Sequence, residues 1–119
     1  MFQKLKEKLL EKGGALVSEY LPSMAPVPGL FPQRNRIVAG MSKGVLVTEA
    51  AAKSGSKITA GFAAEYGRDV FAVPGSITSK YSDGTKDLIN VGAKLVTSAQ
   101  DILADYFPKR NEKTGKIDI

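Results

Sequence analysis

The chain has neither cysteine nor histidine among its 119 residues. Without cysteine there is no disulfide scaffold, no thiolate zinc site and no thiol nucleophile. Without histidine there is no His-based triad and no imidazole general base. Long hydrophobic runs are missing as well: no apolar stretch approaches the roughly 20 residues that span a bilayer. The start, Met1 to Lys8, alternates charge and has no signal-peptide core. These absences suit a cytoplasmic chain with no membrane association, and nothing in the sequence implies a metal or a cofactor. What is present is ordinary for one globular domain, with 43% hydrophobic and 24% charged residues.

Charge is unevenly placed. Residues 1–60 hold nine basic and four acidic side chains, a net +5, whereas residues 61–119 hold eight of each. The excess therefore lies in the half that carries Arg34 and Arg36. Such a patch is either a solvated face or a surface for a polyanion, of which nucleic acid is the commonest case.

Along the chain, Phe2, Leu5, Leu9 and Leu10 recur at helical spacing and Gly13–Gly14 stops the run, which predicts a helix over 2–12. Residues 15–19 read as a short strand. Pro22, Pro26, Pro28 and Pro32 predict an extended loop. A short helix follows from Arg34 to about Met41, then a buried strand over 44–49. The pattern continues as a helix over 56–66, with Ile58, Phe62 and Ala63 toward the sheet, and a strand over 70–73. A polar loop over 76–84, a helix over 85–91, a strand over 94–96 and a helix capped by Ser98 and running to about Tyr106 complete it. The fold class is α/β: a small, mostly parallel sheet of about four strands with flanking helices. The tail from Pro108 is charged and reads as frayed.

Two segments carry chemistry. Phe31-Pro-Gln-Arg-Asn-Arg36 brings two arginines and an asparagine to an expected helix start, where guanidinium forks and open N–H groups favour anionic oxygens. Two residues apart, Arg34 and Arg36 diverge on a helix, so one can clamp a phosphate while the other braces the loop. Asn35 caps the helix or reads a base edge; Phe31 stacks on a base or joins the core. The alternative for Arg36 is a structural ion pair with a carboxylate such as Glu49, and Glu19 is similarly placed. Lys53-Ser-Gly-Ser-Lys57 with Thr59 forms the second helix start. Ser54, Gly55 and the flanking Lys53 and Lys57 suit a phosphate, or Ser54 is an ordinary N-cap with Gly55 serving the turn. The spacing is neither a Walker A loop nor GxGxxG. Pro74-Gly75-Ser76 either presents amides to a ligand or is a plain turn. In an open parallel sheet, ligands bind beyond the carboxyl ends of the strands.

Four blocks in fixed order carry a resemblance: FPQRNRIVAG at 31–40, EAAAKSGSKITA at 49–60, GRDVFAVPG at 67–75 and GTKDLINVGA at 84–93, with Ser18-Glu19-Tyr20 ahead of them. Over roughly residues 14–103 the chain resembles the DNA-processing protein A family, also called Smf. The resemblance implies a Rossmann-like domain over residues 1–107 that binds single-stranded DNA, a binder and mediator rather than an enzyme. It implies a role in DNA uptake during natural transformation and in loading a RecA-type recombinase, and association as a homo-oligomer. By position, Arg34, Asn35 and Arg36 fall in the family's arginine block, and Ser54, Gly55 and Thr59 in its second helix-start block.

The family domain also has an earlier half, with a Gly-Ser-Arg turn and a basic segment near a Tyr-Pro pair. The chain reads as the later half, so the expectation is a truncated Rossmann-like fold whose partner carries the missing half. Lys57 replaces a usually apolar residue, and Lys86 stands where asparagine is common. Two other readings stay open. One is a nucleotide-processing phosphoribohydrolase, although Ala52 to Lys57 lacks the Pro-Gly-Gly-x-Gly-Thr turn of those enzymes. The other is an assembly module whose exposed sheet edge is its functional surface.

Overall fold

The computed structural model describes residues 2–21, 23 and 30–107. The expectations for Pro22, Pro26, Pro28 and the charged tail lie outside the described residues. Among the described residues five helices and three strands follow one another: α1 (Phe2–Glu11), α2 (Leu30–Gly40), β1 (Gly44–Val47), α3 (Gly55–Glu65), β2 (Asp69–Ala72), α4 (Asp83–Asn90), β3 (Lys94–Leu95) and α5 (Ala99–Tyr106). A 3-10 turn over Lys80–Ser82 leads directly into α4.

The strands form a parallel sheet in the order β1-β2-β3, with Gly44 opposite Asp69 and Phe71 opposite Lys94. Alternation along the strands sends Val45, Val47, Val70 and Ala72 to one face. There they meet Ala60 of α3 and Leu88 of α4, with Ala50 closing the cluster. The small residues Ala60 and Ala63 let α3 approach the sheet closely, and both are buried. The other face is covered less completely. Phe71 meets the Tyr106 ring of α5 edge-on, yet Leu46 on β1 stays 43% exposed.

Both helix-stop expectations at glycine hold for the sheet-covering helices: Gly67 after α3 and Gly92 after α4 adopt positive φ. Ser54 caps α3 by accepting from the Ser56 N–H, and Ser98 caps α5 by accepting from the Asp101 N–H at 3.4 Å. The Asp101 carboxylate turns back to the Thr97 N–H at 2.8 Å and the Thr97 hydroxyl at 3.1 Å. These two donors hold its carboxyl below the usual aspartate range.

Several expectations need correction. The sheet has three strands among the described residues, because 15–19 is not a strand. That segment meets α2 instead: Glu19 pairs with Arg36, and the Tyr20 hydroxyl donates to Gln33 at 3.1 Å. With no strand beside it, its β-favouring sequence has no ladder to join. Ile58 does not face the sheet but is 42% exposed, and its expected place is taken by Ala60. Helix α2 begins at Leu30 rather than Arg34, with Pro32 in its first turn. Proline is tolerated there because its missing N–H would have had no partner within the helix. Helix α1 buries none of its residues, so its apolar stripe faces outward.

Candidate nucleic-acid interface

Helices α2 and α3 run side by side in the same direction. Their last turns meet, as Gly40 lies against the Tyr66 ring, and the Arg68 guanidinium donates to the Gly40 carbonyl at 2.8 Å. Their first turns therefore share the opposite side, which is the carboxyl end of the sheet because α3 follows β1. The two motif segments are thus brought to one edge by topology.

They arrive there differently. Ser54 to Lys57 is a true helix start: Ser54 has extended backbone and caps α3, while Gly55 leaves the surface open. Ala52, Lys53, Ser54, Gly55, Lys57 and Ile58 line a shallow depression of about 440 Å³. Lys53 is exposed beside it, with no carboxylate partner among the described residues. The Ser56 N–H is taken by the Ser54 hydroxyl and the Lys57 N–H by the Ser54 carbonyl, so the positive helix end and the Lys53 ammonium are what attract an anionic oxygen. Lys57 has a structural task, donating to the Ala52 carbonyl at 3.0 Å and reaching Asp87 at 3.4 Å. The Thr59 hydroxyl turns to the Gly55 carbonyl at 3.4 Å.

Arg34, Asn35 and Arg36 sit past the first turn of α2, so the open N–H groups expected beside them belong to earlier residues. Asn35 consequently caps nothing, and its side-chain oxygen accepts from the Arg34 Nε at 3.2 Å. Arg36 pairs with Glu19 rather than Glu49. Both side chains keep over a third of their surface in solvent, so the pair is worth about 0–1 kcal/mol and can exchange for another anion. Phe31 belongs to α2, and its side chain lies outside the described residues.

The loop between β1 and α3 is held from below by a segment that the sequence marked only as polar. The Ala50 N–H donates to the Tyr81 carbonyl at 2.8 Å, and the Gly84 N–H to the Ala50 carbonyl at 2.8 Å. Gly84 was the available signal, since only glycine fits so near that backbone. Pro74 and Gly75 line a second groove of about 220 Å³ at the end of β2, with Asp83, Lys86 and Leu95. Among the described residues no group of acidic side chains is gathered to hold a metal ion. None of their helices is long and apolar enough to cross a membrane.

A parallel sheet with helices on its faces and an anion-attracting helix start at its carboxyl edge defines a small Rossmann-like α/β protein. The family described as DNA recombination-mediator protein A matches residues 2–107. The chain belongs to that family. It is 56% identical over 91 residues to DNA processing protein DprA of Streptococcus pneumoniae, covering 76% of this chain and 32% of that protein. It is 54% identical over 100 residues to protein Smf of Escherichia coli, covering 84% and 27%. The chain thus spans about a third of the length of the curated relatives it matches. Among solved structures, the X-ray structure of DprA from Streptococcus pneumoniae superposes with a TM-score of 0.74 at 50% identity, over 88% of this chain and 38% of the other. DNA processing protein A from Helicobacter pylori, described for its unique single-stranded DNA binding mode, gives 0.66 at 33% identity over 75% and 41%.

Proposed function

We propose that the chain binds single-stranded DNA at the carboxyl edge of its sheet, as a binder and mediator rather than an enzyme. The observation that carries this reading is the open start of α3 at Lys53, Ser54 and Gly55, set beside the arginine-bearing helix α2. The positive end of α3 and Lys53 take one phosphate, and Arg36, released from Glu19, takes another. Arg34 and Asn35 extend the same contact, while Lys57 and Thr59 hold the shape of the turn. The Helicobacter pylori relative, with its single-stranded DNA binding mode, supports the choice of ligand.

The wider role is the mediation of recombination during DNA uptake, with a RecA-type recombinase as protein partner. β1 has no neighbour on its outer side among the described residues, and Leu46 beside it is exposed. A further chain, either a second copy or one carrying the remainder of the domain, covers that edge and completes the DNA groove. Fluorescence anisotropy with labelled oligo-dT at two salt concentrations tests the reading. Affinity falls as salt rises, because each phosphate contact releases counterions. Arg34→Ala/Arg36→Ala weakens binding at both salts. Wild-type affinity in that variant overturns the site, and no binding at low salt overturns the activity.

A further inference from the structure

The turn beneath the Ala50 loop carries an aromatic ring that folding does not use. Tyr81 is 53% exposed, although its backbone is fixed at both ends. Its N–H donates to the Ser79 hydroxyl at 3.3 Å, and its carbonyl accepts from the Ala50 N–H at 2.8 Å. The Ser82 hydroxyl donates to the carbonyls of Ser76 and Ser79, and the Ser76 and Thr78 hydroxyls are 2.8 Å apart. The ring is therefore projected from a braced turn. Lys80 places its ammonium 5.2 Å from the centre of the Tyr81 ring. The ammonium adds a cation beside the half-exposed ring.

Location separates Tyr81 from the other exposed aromatics among the described residues. Tyr66 lies at the far end of α3, beside Phe62, and Phe107 follows α5 at the same far side of the sheet. Tyr20 is engaged with Gln33, and Phe2 belongs to the outlying α1. Tyr81 stands at the carboxyl end and, unlike Tyr20, is joined through Ala50 to the loop that ends on Lys53 and Ser54. A ring face, an ammonium and an anion-attracting helix start on loops joined by the Ala50–Tyr81 hydrogen bond match the chemistry of a single strand, base and phosphate.

We propose that Tyr81, with Lys80 behind it, is a base-stacking platform for the strand whose phosphate sits at the start of α3. This rests on the single-stranded DNA reading and adds to it a contact with the base itself. Every base has a π face, so the platform holds a strand without selecting its sequence.

The test is anisotropy with oligo-dT and with an abasic strand of equal length, using wild type, Tyr81→Ala, Tyr81→Phe and Tyr81→Leu. Tyr81→Ala and Tyr81→Leu lose about 5- to 100-fold on oligo-dT, while Tyr81→Phe keeps its affinity. On the abasic strand all four proteins bind alike. Lys80→Ala weakens both strands and lowers the salt slope by about one phosphate. Wild-type affinity of Tyr81→Leu for oligo-dT overturns the platform while leaving DNA binding intact. So does an equal loss on the abasic strand, which marks Tyr81 as structural. Wild type that binds neither strand overturns the DNA reading itself, and the platform with it.

Discussion

Gly84→Ala and Gly61→Ala are the same chemical change on two helices, and the structure assigns them opposite signs. A Cβ at Gly84 falls 2.5 Å from the Ala51 carbonyl oxygen and 2.7 Å from both the Ala50 Cβ and the Ala50 carbonyl oxygen. These are backbone and Cβ atoms, which cannot rotate aside, so the β1–α3 loop must move. Overpacking of this kind costs about 1–3 kcal/mol. Strain on the Gly84 N–H bond to Ala50 adds about 0.5–1.5 kcal/mol. Against this stands a helix-propensity gain of at most about 1 kcal/mol. The net expectation is a loss of about 0.5–3.5 kcal/mol for Gly84→Ala, together with weaker DNA binding, since the displaced loop carries Lys53 and Ser54. At Gly61, in the interior of α3, a new Cβ meets nothing within 4 Å. There alanine gains about 0.5–1 kcal/mol. Urea unfolding followed by circular dichroism, with unchanged slope, reads both midpoints. Equal midpoints for the two variants, or a Gly84→Ala protein more stable than wild type, refute the reasoning.

Other perturbations follow from single contacts. Glu19→Gln releases Arg36 and removes a negative charge beside it, so affinity for oligo-dT at low salt rises about 2- to 5-fold in anisotropy. Asp101 has its carboxyl held low by Thr97, so its contribution is present above the unfolded value and lost as pH falls through the folded one. The urea-midpoint gap between wild type and Asp101→Asn accordingly shrinks below about pH 4. Tyr106 is pushed up by burial, by its 2.8 Å hydrogen bond to Asp69 and by the negative charge of Asp69 and Asp105. Its contribution is complete below about pH 10 and fades as pH rises through the folded value. An ultraviolet titration should show one tyrosine ionising late, and Tyr106→Phe should abolish that phase.

The parallel α/β order was legible because 45–47 and 70–72 are short apolar runs with a glycine ahead of each, and because Ser54 and Ser98 announce helix starts that the backbone uses. Residues 15–19 look like a strand and are not one for a physical reason. A strand needs a neighbour, and a β-like sequence without one settles on whatever surface offers hydrogen bonds, here α2. The start of α2 is hidden in the sequence because Pro32 looks like a barrier, whereas in a first turn it is compatible with the helix. That shift moved Arg34 and Arg36 away from the open N–H groups, so the two motifs are unequal: α3 supplies a helix start and α2 supplies side chains. The role of Tyr81 had no local signature. Its place beside Ala50 depends on a hydrogen bond across 31 positions of sequence, which composition and periodicity do not report.

The central claim is that the start of α3, with α2 beside it, receives the strand. The most direct measurement is a titration of isotopically labelled protein with oligo-dT, followed by amide chemical shifts. The account predicts that Ser54, Gly55, Ser56 and Lys57 shift first and saturate together, accompanied by Arg36 and Tyr81. Shifts confined to α1 or α5, with the α3 start unmoved at saturating DNA, would contradict it.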